Sequence, residues 1–425
     1  MHDTLGGAHL IAPEFADYYR AVHGHDPFPW QQGLVAEVVE AGRWPDLIDV
    51  PTGLGKTSVL DVAVFVAAAT AHQLGQSRLG RRRCFFVVDR RIVVDEAFAH
   101  ARRIVEALDR AERDGNGSIL GRVASALRSL APDAGGDVLA VTRMRGGTTW
   151  AAAWLDRPDR PGIVLGTVDQ VGSRLLFRGY GVTDRRRPVD AALVGTDALL
   201  LVDEAHLSTA LLETVGEAQQ RDRLGLPLPA LSVVRLSATG APTAHAFALD
   251  VDRHRADAEA WRRLTAGKRL IARESSAKEC VRAICETVLE QLVKVAGTST
   301  GAPAPTAVVV CNTVDRARAV HGYLVKHLSA KGTAVKAECD LLIGRSRPVD
   351  RQTLQLRIIE RYGVGHPVAE RPAVLVATQT VEVGVNLDAD VLVSESASWD
   401  ALVQRLGRLN RLGRFEERFP GVGPA

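Results

Sequence analysis

Two α/β domains with mostly parallel sheets are predicted for this chain of 425 residues, and three observations predict them. Continuous apolar runs of strand length recur between helical patterns, as expected of strands buried on both faces. The first run passes into a loop ending in Gly-Lys-Thr and then into a helical pattern. A second series of runs begins near residue 307 and carries no such loop.

The loop is the anchor. The apolar run at 47–50 reads as a buried strand, residues 51–57 (PTGLGKT) as a phosphate loop, and VLDVAVFVAAATA as the helix behind it. Gly53 and Gly55 let the backbone wrap a polyphosphate, and the N–H groups at the helix start, with Ser58, face the anion. Lys56 is placed for the β- and γ-phosphates of ATP, and the Thr57 hydroxyl for Mg2+. Val50 stands where the strict GxxxxGK[ST] pattern has its first glycine. Upstream, Phe28-Pro29-Trp30-Gln31 opens a helical pattern, and the Gln31 amide offers the donor and acceptor that an adenine edge requires; an ordinary helix start is the other reading.

Residues 1–27 hold two His-Asp dipeptides, His2-Asp3 and His25-Asp26. Such pairs can mark a metal-dependent phosphohydrolase, but this segment is too short to supply a full ligand set, so no metal site is expected in it.

Further strands are predicted at 84–88, 138–142, 162–166, 198–202 and 232–236, with residues 111–137 as an excursion containing one amphipathic helix. Asp203-Glu204-Ala205-His206 directly follows the run ALLLV, at the carboxyl end of a strand, where ligands of open α/β sheets gather. Asp203 is placed to hold Mg2+, and Glu204 to orient and deprotonate a water. Ser237-Ala238-Thr239 ends the next strand.

The second domain is expected to begin at 248, after a first domain over 28–247 and an N-terminal extension over 1–27. Its strands are predicted at 268–272 (KRLIA), 307–311, 334–337 (AVKA), 373–378 and 390–394, with a long helix at 277–296 and a loop at 297–305. Thr378 to Asn386 follows the strand AVLVAT; Thr378 is expected to touch a nucleic-acid backbone and Gly384 the nucleotide. In QRLGRLNR at 404–411, Arg408 and Arg411 are three apart and are expected on one helix face, where guanidinium groups suit developing γ-phosphate charge.

Composition excludes other classes. Hydrophobic content of 46% and charged content of 24% describe a folded globular chain. The net charge of +3 does not by itself argue for nucleic acid, although the arginine clusters at 81–83, 90–91 and 185–187 read either as phosphate contacts or as solvated surface. Five cysteines form no zinc spacing and read as reduced, buried thiols. With neither a signal sequence nor an apolar run of spanning length, a cytoplasmic protein is expected.

The order and spacing of PTGLGKT, VDEAH, SAT, ATQTVEVGVNL and QRLGRLNR resemble a superfamily 2 DEAH-type helicase core over residues 28–413. VVDRRIVVD at 87–95 and GTVDQVGSRLLFRGYG at 166–181, with RMRGG at 143–147 and GRSRPVDR at 344–351, resemble the signature helicase–nuclease of type I CRISPR systems. The resemblance implies two tandem RecA-like P-loop NTPase domains with an inter-domain ATP cleft. It also implies 3′-to-5′ translocation on single-stranded DNA, recruited to the displaced strand by an RNA-guided surveillance complex. On it, Arg90, Arg91, Arg145, Thr167, Gln170 and Arg174 are the expected contacts to the DNA backbone. The family's HD nuclease and accessory C-terminal domains do not fit in this chain, so the nuclease is expected on a continuation or on a separate polypeptide. Asn386 departs from the aspartate common in the family pattern. Other superfamily 2 DNA or RNA helicases, or a core that binds nucleic acid without turnover, are the competing readings.

Overall fold

The computed structural model describes residues 9–89, 91–132, 135–144, 153–221, 227–237, 243–297, 303–330, 332–344, 348–364, 371–382 and 386–422. The chain divides into two compact units, Met1–Asp257 and Ala258–Ala425. The division falls beyond residue 247 because Ala246–Ala248 is itself a strand of the first sheet, paired with Leu47–Asp49.

In the first unit the strands are β1 Leu47–Asp49, β2 Arg83–Val88, β3 Ala140–Met144, β4 Gly162–Thr167, β5 Ala198–Val202, β6 Ser232–Ser237 and β7 Ala246–Ala248. They form one sheet in the order β3-β4-β2-β5-β6-β1-β7, with every pairing parallel. Five consecutive residues of β5 and all six of β2 are buried, which is why these stretches read as unbroken apolar runs. Because the strands are parallel, the residues that follow β1, β4, β5 and β6 emerge along one edge of the sheet.

Helices α1 Phe15–His23, α2 Pro29–Ala41, α3 Val59–Ala69, α4 Arg91–Asp114 and α5 Ile119–Ser129 pack in this unit. Residues 15–23 are therefore no loose extension: Phe15 and Tyr18 are fully buried, their rings against Phe65 of α3. All of α3 is buried. Its last turn is approached so closely by Gly80 that a Cβ there would stand 2.2 Å from the Ala67 Cα, so no side chain fits. The amphipathic helix expected in the excursion is α5, capped by Ser118, whose side chain accepts from the Gly121 N–H. Among the helices that follow are α6 Ala153–Asp156, α7 Val168–Leu175 and α8 Arg187–Gly195.

The second unit has its own parallel sheet of β8 Thr306–Val310, β9 Glu338–Leu342, β10 Ala373–Ala377 and β11 Val391–Ser394, in the order β11-β8-β10-β9. Its core joins these strands to the helix Cys280–Ala296 through residues such as Val288, Leu292, Val309 and Val376. Two strand expectations are corrected. Residues 268–272 form no strand, and Leu270 is 84% exposed, because no neighbouring strand pairs with the run. The strand expected at 334–337 lies instead at Glu338–Leu342, where it carries a buried Asp340 that accepts from Arg361 Nη1 at 3.0 Å. No helix among the described residues is long and apolar enough to cross a membrane.

Candidate nucleotide and strand sites

The phosphate loop leaves β1 through Val50, which is fully buried; the position of the missing glycine is thus packed as core. Gly53 and Gly55 take φ of +96° and +68°, the left-handed region that glycine enters without strain. Lys56–Ser58 forms a tight 3-10 turn that runs directly into α3. Two neighbours brace the loop from behind. Trp30 Nε1 donates to the Leu54 carbonyl at 2.9 Å, and the Tyr19 hydroxyl lies 3.2 Å from Ser58 Oγ.

Gln31 is fully buried, and its Oε1 accepts the Phe28 N–H at 2.9 Å, closing the first turn of α2. Its Nε2 is buried without a hydrogen bond, although the Tyr19 hydroxyl interacts with it electrostatically. A buried amide donor left in this condition is suited to a ligand acceptor.

Asp203 and Glu204 follow β5. The Asp203 N–H donates to the Val87 carbonyl at 2.9 Å, and Asp203 Oδ1 accepts the Glu204 N–H at 3.1 Å. Glu204 has φ of +45°, a conformation costly for a residue with a side chain, and it aims its carboxylate at the loop. Lys56 Nζ stands 3.3 Å from Glu204 Oε1, with the two side chains 11% and 8% exposed. His206 Nδ1 lies 3.7 Å from Glu204 Oε2. Strands β1 and β5 are not neighbours; β6 lies between them, so the shared edge of the sheet is what brings these residues together.

In the second unit the helix Trp399–Leu406 stops at Gly407, so Arg408 and Arg411 lie beyond it and not on a helix face as expected. Arg408 is buried and donates through Nε to the Val381 carbonyl and through Nη2 to that of Glu382, at 3.0 and 2.7 Å. Arg411 is half-buried, and its backbone N–H donates to Asp388 Oδ1 at 2.6 Å. Sequence reasoning passed over Arg405. It is 1% exposed and donates to Glu382 Oε1, Ser394 Oγ, the Glu395 carbonyl and Asn312 Oδ1 at 2.7 to 3.0 Å. It thereby ties together the residues that follow β8, β10 and β11. Its place in QRLGR, three before Arg408, was the available signal. Thr378 is buried at the end of β10, its N–H donating to the Leu342 carbonyl.

Of the expected strand contacts, Thr167 is buried at the end of β4. Gln170 and Arg174 on α7, also expected to contact the DNA backbone, are buried as well. Arg174 Nη1 donates to the Gln170 carbonyl and to its Oε1, and its Nε stands 3.2 Å from Asp190 Oδ2 of α8. Burial pushes the Asp190 carboxyl up and the Arg174 guanidinium down, outweighing their mutual attraction. Gly384, Arg90, Arg145, Ala238 and Thr239 lie outside the described residues, as does the side chain of Arg91.

Residues 304–414, the segment with Thr378, Arg405 and Arg408, match the family described as CRISPR-associated nuclease/helicase Cas3, C-terminal. That segment is Cas3-like. A CRISPR-associated endonuclease/helicase Cas3 of Escherichia coli strain K12 is 34% identical over 126 residues, which are 29% of this chain and 13% of that relative. The crystal structure of T. fusca Cas3-AMPPNP aligns over 93% of this chain and 45% of its own, at 20% identity and a TM-score of 0.54. A Saccharomyces cerevisiae Dbp5 variant bound to RNA and ADP BeF3 aligns over 99% of this chain and 93% of its own, at 13% identity and a TM-score of 0.52. The chain thus spans less than half the length of the Cas3 proteins it matches, and both structural neighbours share its fold.

Proposed function

We propose that this chain is an ATP-dependent, 3′-to-5′ single-stranded DNA translocase that acts in CRISPR defence on the strand displaced by an RNA-guided complex. The observation that carries the reading is the Cas3 C-terminal match over 304–414, in a chain whose first unit holds a glycine-turned phosphate loop with Lys56 beside Glu204.

In this reading Lys56 and the loop N–H groups hold the β- and γ-phosphates, and the buried Nε2 of Gln31 meets adenine. The donor set fits magnesium, since the Thr57 hydroxyl and the Asp203 carboxylate are hard oxygen ligands at the two chain turns that Lys56 and Glu204 join. Held by these two residues, the ion would supply positive charge to offset that of the phosphates. Entry of a polyphosphate gives Lys56 a stronger anionic partner and releases the Glu204 carboxylate to orient the attacking water and take its proton. Arg408 and Arg411 stabilise the developing γ-phosphate charge, and Arg90, Arg91 and Arg145 hold the strand by its phosphates.

The test is ATP turnover measured with single-stranded DNA, single-stranded RNA and duplex DNA. Stimulation by single-stranded DNA above the others is expected. Preference for RNA would overturn the substrate assignment, and absence of turnover with every polymer would leave a binding core.

A further inference from the structure

We propose that His23, Asp61 and His100 form a binding site for one Zn2+ ion that fastens the N-terminal helix to the helix behind the phosphate loop. The three side chains come from α1, α3 and α4, far apart in sequence, and their ligand atoms all lie within 4.8 Å of one another. His23 Nε2 stands 2.8 Å from Asp61 Oδ1, and His100 Nε2 2.6 Å from Asp61 Oδ2. The imidazoles are stacked, with ring centroids 4.9 Å apart, so both present the same edge to the carboxylate.

Asp61 is the unusual member. It is a fully buried carboxylate in the apolar helix VLDVAVFVAAA, a position that is costly unless the charge is matched. Each of its two oxygens faces one imidazole nitrogen, so the carboxylate is set between two histidines. Two imidazole nitrogens and one carboxylate oxygen are a ligand set of zinc, with water as the fourth ligand, and not the all-oxygen set that magnesium takes. Around a tetrahedral ion with bonds of about 2.0–2.2 Å the ligand atoms stand roughly 3.3–3.6 Å apart, so each imidazole draws back by less than about 1 Å to admit it.

Burial also says what the ion does. The His23, Asp61 and His100 side chains are 3%, 0% and 15% exposed, too enclosed for a phosphodiester to reach. The ion is structural. Its influence reaches the nucleotide loop through Tyr19, whose ring lies 4.4 Å from that of His23 and whose hydroxyl meets Ser58. The inference stands on these contacts and not on the proposed activity.

The experiment titrates the chelator-treated full chain with Co2+ and then Zn2+. One Co2+ per chain is expected, with visible absorption of a low-coordinate site, no thiolate-to-metal band, and displacement by Zn2+ that raises the unfolding temperature. His100→Gln, the most peripheral of the three, should lose this binding while keeping its far-ultraviolet circular dichroism, whereas Lys56→Ala keeps it. Should His100→Gln fail to fold, X-ray absorption of the zinc-loaded wild type decides, two imidazoles in the nitrogen/oxygen shell being required. No stoichiometric binding, equal binding by the variant, or a thiolate signature overturns the proposal and leaves a hydrogen-bonded clamp.

Discussion

The ammonium of Lys56 stands 3.3 Å from the carboxylate of Glu204, across a strand that belongs to neither residue's segment. Each is nearly enclosed, so their charges act through a medium less polarisable than water. The two residues have separate tasks in the proposed hydrolysis, and substitution should separate them. Glu204→Gln is expected to lower turnover on the order of 10²–10⁴-fold while leaving nucleotide binding nearly intact. Lys56→Ala should lose both. Steady-state ATP hydrolysis beside titration with a fluorescent nucleotide measures the pair, and a Glu204→Gln protein with wild-type turnover would remove Glu204 from the reaction.

Arg405 is the hub of the second unit's edge, and its removal should be felt as stability. Arg405→Ala leaves Glu382 with its charge uncompensated, a loss of roughly 3–5 kcal/mol for a buried pair. Arg405→Lys should recover little, since an ammonium cannot reach Glu382, Asn312 and Ser394 together. Urea denaturation of the three proteins checks this.

The Arg174–Asp190 contact should behave as a packing element. With side chains 3% and 2% exposed, Arg174→Ala alone is expected to destabilise by about 3–5 kcal/mol, whereas Arg174→Met with Asp190→Leu should be neutral or stabilising. The double variant should also keep salt-dependent DNA binding, read by fluorescence anisotropy. A large loss of affinity there would return Arg174 to the strand-contacting set.

Thiol chemistry offers a pH-dependent check on both cores. Burial pushes the Cys285, Cys311 and Cys339 thiols up to about 12 and raises Cys84 as well. The neutral thiol is the favoured form in each, so alkylation should stay slow through neutral pH and accelerate only as the pH climbs toward that value or the chain unfolds. Iodoacetamide labelling followed by mass spectrometry should find all five cysteines modified in denaturant. In the native protein near pH 8 labelling should begin at the partly buried Cys280.

Legibility in the sequence followed burial. Strands enclosed on both faces, such as β2 and β5, announce themselves because every side chain must be apolar. The same rule misled at 268–272, where a local apolar run has no strand to pair with. It also hid β9, whose Asp340 is tolerated because Arg361 and Tyr362, both distant in sequence, meet its carboxylate. A periodicity cannot see such partners.

The sequence by itself determined the two α/β units, the phosphate loop, the Asp-Glu turn after β5 and the Cas3-like order of motifs, because each depends on neighbours along the chain. Tertiary structure alone decided that Lys56 meets Glu204, that Arg174 turns inward to Asp190, that Arg405 rather than a helix face organises the QRLGRLNR segment, and that Asp61 lies between two histidines. Those outcomes depend on which strand lies beside which and on where a buried charge finds its partner. Both are properties of the folded chain, fixed by the high cost of leaving a polar group unmatched in the core.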